Sequence, residues 1–170
     1  MKQAVVIVAT ALLCTVSEGK AASDEATIYT SQTAPYSDDG LIAKAIVTEC
    51  QLPQRQAELI EQVAKENGIL VVRDDQAVAA KKGRVLLVEI SNALSIGNAF
   101  TGHRKQVSVK GRLLENGSEV GNFSGMRSSM GGAFAGFKGS CVVLERCLST
   151  LAKDINGWLK QPSMNARIGE

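Results

Sequence analysis

Few side chains in this sequence could do covalent or coordination chemistry, and their spacing limits what that chemistry can be. Cysteines stand at positions 14, 50, 141 and 147, and His103 is the only histidine. A single imidazole excludes a zinc site or catalytic dyad that needs two, and no CxxC pair offers a metal or redox motif. Ser/His/Asp catalysis would have to use His103, whose neighbouring serines lie in no nucleophile-elbow context. The sequence therefore predicts no catalytic residue, no metal ligand and no cofactor site, and the chain is expected not to be an enzyme. What remains for the cysteines is cross-linking.

Two further features could hold a ligand. The first is the stretch 130–140, Met-Gly-Gly-Ala-Phe-Ala-Gly-Phe-Lys-Gly-Ser. Its backbone N–H groups, followed by a helix, could hold an anion. It lacks the GxxxxGK[ST] of a P-loop and any GxGxxG between a strand and a helix, so it reads as a flexible connection. Phe134 and Phe137 on such a segment form a candidate partner-contact patch. The second feature is a basic strand bearing His103, Arg104, Lys105, Lys110 and Arg112. Alternating charge of this kind is what a solvated sheet face requires, and it also suits an anionic small molecule, a lipid head group, a membrane surface or an acidic polymer. Nucleic acid is not expected. No aromatic residue lies between Gln106 and Asn122, and 19 Lys+Arg against 17 Asp+Glu give a net charge of only +2.

The meaning of the cysteines depends on compartment, and the N-terminus speaks to that. Lys2 precedes an apolar run from Ala4 to Val16, and Gly19 and Ala21 supply the small residues that precede a cleavage point. This pattern predicts a secretory signal peptide over 1–21. The run is too short for a helix that spans about 30 Å of hydrocarbon. Leu13 before Cys14 is poorly suited to lipoprotein processing, so no lipid anchor is expected. Export into an oxidising compartment leaves Cys50, Cys141 and Cys147 as disulfide candidates, with one thiol over. In a regular helix Cys141 and Cys147 would lie about 9 Å apart, beyond bridging distance. Cys50 is then the common partner. Helix phase favours Cys141, which lines up with Leu144, Leu148 and Leu151, and Cys147 is the second choice. A Cys141–Cys147 bridge would need a helix that starts later.

The elements that must position these residues follow from hydrophobic period. The chain has 170 residues, 45% hydrophobic and 21% charged, enough for one core and too ordered in composition for global disorder. Residues 22–40 are polar and turn-prone and predict a flexible N-terminal arm. Leu41 to Cys50, with Ala45-Ile46-Val47-Thr48 at its centre, predicts a buried strand. Leu52, Ala57, Ile60, Val63 and Ala64 recur at helical spacing after Pro53, and Asn67-Gly68 closes that helix. A short strand at 69–72 and a short helix capped by Asp74-Asp75 follow. Arg84 to Leu94 predicts the strongest strand, with Leu86, Val88, Ile90, Asn92 and Leu94 on one face. A second strand presents Val107, Val109, Gly111 and Leu113. Asn116-Gly117 then turns the chain into a third strand, Ser118 to about Ser128. Ser140 is expected to cap a last helix whose stripe contains Cys141, Leu144, Cys147, Leu148, Leu151, Ile155, Trp158 and Leu159. Residues 162–170 are expected to fray.

Two stretches together resemble a known kind of protein. One is Cys50 through Pro53 into the helix that ends at Gly68. The other is the hairpin array closed by Gly139-Ser140-Cys141, Leu144, Cys147, Leu148, Leu151, Asp154-Ile155 and Trp158-Leu159. They resemble uncharacterised bacterial families of small exported proteins and lipoproteins of unknown function. In architecture these are similar to the amino-terminal domain of TolB and to curli-secretion lipoproteins. The resemblance implies an α/β domain with helices on one sheet face, in the envelope of a Gram-negative bacterium, and it brings no catalytic residues. The expected fold is an α/β (α+β) two-layer sandwich over 41–161. It has a mixed, largely antiparallel sheet of about five strands, with two main helices on one face. The expected role is that of a non-catalytic periplasmic accessory or assembly protein acting on an envelope protein partner. The alternative is a binding module for an anion.

Overall fold

The computed structural model describes residues 27–98, 102–129 and 139–169. The predicted signal peptide at 1–21, Phe134, Phe137 and the rest of the 130–138 stretch lie outside the described residues. In chain order the elements are β1 (Ile28–Thr30), a 3-10 turn (Asp39–Leu41), α1 (Lys44–Glu49) and α2 (Leu52–Glu66). There follow β2 (Val71–Arg73), α3 (Asp75–Ala80), β3 (Arg84–Asn98), β4 (Gly102–Glu115), β5 (Ser118–Ser129), α4 (Ser140–Leu159) and β6 (Ala166–Ile168). The sheet is mixed and has six strands in the order β2-β1-β3-β4-β5-β6. The two long helices, α2 and α4, pack together over the face that carries Leu86, Val88, Ile90, Val107 and Val109. This is the expected two-layer α+β architecture with one strand more.

The central ribbon follows from local chemistry. Asn116 and Gly117 both take positive φ, 49° and 83°, as a two-residue hairpin turn requires. Asp74 accepts hydrogen bonds from the backbone N–H of Gln76 and Ala77 at 2.8 and 3.1 Å and so starts α3. Gly111 is needed for packing. A Cβ there would lie 2.3 Å from Cζ of Phe123, whose ring lies across the bare backbone and meets Trp158 edge-on at 4.8 Å between ring centres. Arg127 of β5 holds Asp154 of α4 through two hydrogen bonds of 2.8 Å, a bidentate pair that ties helix to sheet.

Four expectations need correction. Residues 41–50 form no strand: the segment turns at 39–41 and becomes α1, where Ile46 is buried and the Thr48 hydroxyl donates to the carbonyl of Lys44. Contact with the core outweighs the strand preference of its β-branched residues. The strand expected there comes instead from the arm. From Thr27 the arm is ordered, and Ile28–Thr30 pairs in parallel with β2 on one side and β3 on the other. Tyr36 continues the pairing with a bridge to Ile90. The predicted frayed tail carries β6, which pairs with Phe123–Gly125 and lays Ile168 over Gly125. Finally, a bulge at Ser91 shifts the β3 register, because Ile90 faces Val109 while Asn92 faces Ser108. Ala93 therefore turns inward, 1% exposed, and Asn92 and Leu94 turn to the opposite face.

Cys50 and Cys141 are bridged, with Cα atoms 5.0 Å apart, and the link joins the end of α1 to the first turn of α4. Cys147 is a buried free thiol. Burial pushes its ionisation above the ordinary value of 9.0, and does the same to the Tyr36 phenol above 10.0.

Three outcomes follow from this packing. Leu148 is fully buried in the α4 stripe, so Leu148→Ala should lower unfolding free energy by about 2–5 kcal/mol in a denaturant titration. An unchanged midpoint would mean that α4 does not face the sheet. Reduction of the bridge, which spans 91 residues of sequence, should lower stability by about 4–5 kcal/mol, measured by melting with and without reductant. Both Cys147 and Tyr36 are acids held neutral by the fold and ionise first in the unfolded chain. Stability should then be flat below their ordinary values of 9.0 and 10.0 and fall as pH rises through them, a fall that Cys147→Ala should reduce.

Candidate functional site

The face of the sheet opposite α2 and α4 is built by the alternate residues of β3, β4 and β5. Registry arranges them in rows: Leu87, Arg112 and Asn122; Glu89, Lys110 and Ser124; Asn92, Ser108 and Met126; Leu94, Gln106 and Ser128; then Ile96 beside Arg104. No helix of the described residues covers these rows, and Ile96 and Met126 are 55% and 37% exposed. Charged and apolar groups are thus interleaved on one uncovered surface.

A depression of about 580 Å³ lies at one end of this face. Glu89, Lys110, Arg112 and Glu119 line it, between a wall at Ser31 and Pro35 and a wall at Asn165–Arg167. Asn165, at φ 54°, donates its backbone N–H to Oδ1 of Asn122 at 2.7 Å, which fixes the second wall. Lys110 stands opposite Glu89, and the Arg112 guanidinium is 3.9 Å from the Glu119 carboxylate. A pair at that distance is weak, so Arg112 can exchange its partner for a ligand's carboxylate or phosphate.

The structure divides the basic residues that the sequence grouped together. Arg104, Lys110 and Arg112 share the open face, and Arg104 donates to Gln106 at 3.2 Å. Lys105 does not. It follows Arg104 directly in an extended strand, so it points to the helix side and is 8% exposed. There it contacts Ser95 and Ser140. His103 pairs with Gly97 in the backbone ladder. Ser140 does not cap α4. It is the first helical residue, and Gly139 occupies the cap without a side-chain hydrogen bond.

Sequence reading missed Glu89, Glu119 and Asn122, which join the site only through cross-strand registry. It also missed Ser95, whose inward orientation depends on the bulge four residues earlier. Among the described residues no group of three or more His, Cys, Asp or Glu could hold a metal ion. No described helix is long and apolar enough to cross a membrane.

No family model and no curated protein matches the chain. Solved structures do. Protein XCC0632 from Xanthomonas campestris, of family DUF330, is similar with a TM-score of 0.54 at 11% identity, covering 78% of this chain and 82% of that one. Hypothetical protein CT253 from Chlamydia trachomatis gives 0.53 at 10% identity, covering 79% and 98%. A minor lipoprotein from Acinetobacter baumannii gives 0.48 at 11%, covering 79% and 92%. The likeness to the first two is one of fold: the chain has the mixed α+β architecture of uncharacterised bacterial proteins, as the resemblance in its sequence implies.

Proposed function

We propose that this chain is an exported, non-catalytic protein of a Gram-negative cell envelope, placed in the periplasm, that acts by binding a protein partner on its open sheet face. The observation that carries the reading is the uncovered surface of β3–β5, where Leu94, Ile96 and Met126 stand among Arg104, Lys110 and Arg112. A mixed patch of this kind gives a partner apolar area to bury and a charged frame to set its orientation. Two observations support export: the signal-peptide pattern at 1–21, and a Cys50–Cys141 bridge of the kind that persists in oxidising compartments.

A second reading has its own observation. The depression beside Lys110 and Arg112 could take an acidic polymer or a membrane head group, and such binding must weaken as salt screens charges beyond about 8 Å.

A photo-crosslinking residue at Ser108, on the open face, should give a discrete protein adduct in the producing bacterium. The same residue at Arg146, exposed on α4, should not. Lys110→Glu with Arg112→Glu should reduce the Ser108 adduct by about tenfold, in line with loss of charge complementarity. Equal adducts from both positions, or none from Ser108, would refute the docking face. Salt-sensitive titration with an acidic polysaccharide in the absence of any protein adduct would favour the second reading. Sequencing of the purified protein should begin at Ala22.

A further inference from the structure

Registry places a lysine where the helix-covered face calls for an apolar residue. Lys105 of β4 lies opposite Ser95 of β3, beyond the inward-facing Val109 and Val107, and is 8% exposed. Its ammonium donates to Oγ of Ser95 and, at 3.1 Å, to Oγ of Ser140; Ser95 donates in turn to Ser140 at 3.2 Å. None of the ion pairs among the described residues involves Lys105. Two hydroxyls do not neutralise a buried charge, which is costly to keep without an opposite one.

The position of this charge sharpens the point. Ser140 opens α4, a helix of 20 residues, and a helix N-terminus carries partial positive charge of its own. The first turn of α4 has no acidic residue and Gly139 gives no side-chain cap. A buried cation and the positive end of a helix therefore converge, with no negative group from the described residues between them.

We propose that this corner, formed by Lys105, Ser95, Ser140 and the first backbone N–H groups of α4, binds a small oxyanion, a carboxylate or phosphate group. The donor count supports it. An ammonium has three N–H bonds, two of which go to the serines; the Ser140 oxygen accepts twice, which leaves its own proton free. The Val142 N–H donates to the Gly139 carbonyl at 3.1 Å, and the N–H groups of Ser140 and Cys141 before it have no acceptor within the helix. The ammonium's third N–H and the Ser140 proton thus lie beside the opening of α4, where a ligand would accept from both. Ser140 is exposed, and a Cβ built on Gly139 meets no described atom within 4 Å. The neighbouring Cys141 is tied to Cys50, so the bridge holds the first turn of α4 in place. Lys110 and Arg112 take no part, and the site is independent of the docking face.

Calorimetric titration of the oxidised protein with inorganic phosphate, and separately with acetate, tests the proposal. Wild type should bind at least one of them and melt at higher temperature in its presence. Lys105→Met should weaken that affinity by about tenfold or more, while Lys65→Glu, at an exposed position in the last turn of α2, should leave it unchanged. Without anion, Lys105→Met should melt no lower than wild type, since it removes an unpaired buried charge; a purely structural lysine would give the opposite sign. If Lys105→Met does not fold, Ser140→Ala at its exposed position should still weaken binding by about threefold or more. Flotation with phosphatidylglycerol vesicles separates the sources. Binding to phosphate or acetate alone indicates a free anion, and vesicle binding lost in Lys105→Met indicates a head group; both support the site. A folded wild type that binds neither anions nor vesicles, or an unchanged affinity in the Lys105 and Ser140 variants, overturns it.

Discussion

The structure depends on the contact between one stripe of α4 and the helix-side face of the β3–β4–β5 ribbon. Leu144, Leu148, Leu151 and Ile155 are all fully buried, and they cover the inward rows of the ribbon from Val107 to Leu113. Every other element is arranged around that layer. The α2 helix packs alongside α4, and its Asn156 contact, in which the side-chain amide donates to the carbonyl of Ile60 at 3.2 Å, fixes how the two helices lie along each other. The disulfide then secures the exposed end of α4 to α1, and Arg127–Asp154 secures its middle to β5.

Because the two long helices lie on one side, the other face of the ribbon, beyond the buried Val85 and Leu114, is left to solvent or to a ligand. The single bulge in β3 decides what that face contains. It sends Leu94 and Ile96 outward and Ala93 and Ser95 inward, so it creates the apolar part of the open face and the polar pocket around Lys105 together. Strand alternation in β4 puts Arg104 and Lys105 on opposite faces, and the bulge in β3 decides which side chains each of them meets, Ile96 for the one and Ser95 for the other.

Legibility in the sequence follows strength of period. The α4 stripe, the α2 helix, the Asn116-Gly117 turn and the long strands each carry a local or repeated signal, and their core residues, from Ile60 to Ile155, are buried as the pattern demands. Three-residue strands have no period to read. Ile28–Thr30 lies among polar neighbours and Ala166–Ile168 follows a proline, so only their long-range partners make them strands. The segment at 41–50 shows the reverse case, in which β-branched residues serve a helix because Ile46 must reach the core. The candidate sites were legible as residue types and not as groupings, since a bulge leaves no mark in a sequence.

The place of β1 has a consequence for how the molecule assembles. It is the first described element of the chain, yet it lies inside the sheet, with both edges paired to strands that come much later, β2 at Val71–Arg73 and β3 at Arg84–Leu86. The β3–β4–β5 hairpins close short loops, whereas β1 must close two long ones, so loop entropy makes it one of the last strands to be seated. Order of synthesis and order of assembly therefore run in opposite directions, and a freshly made chain keeps an open slot between β2 and β3 until its own N-terminal segment arrives.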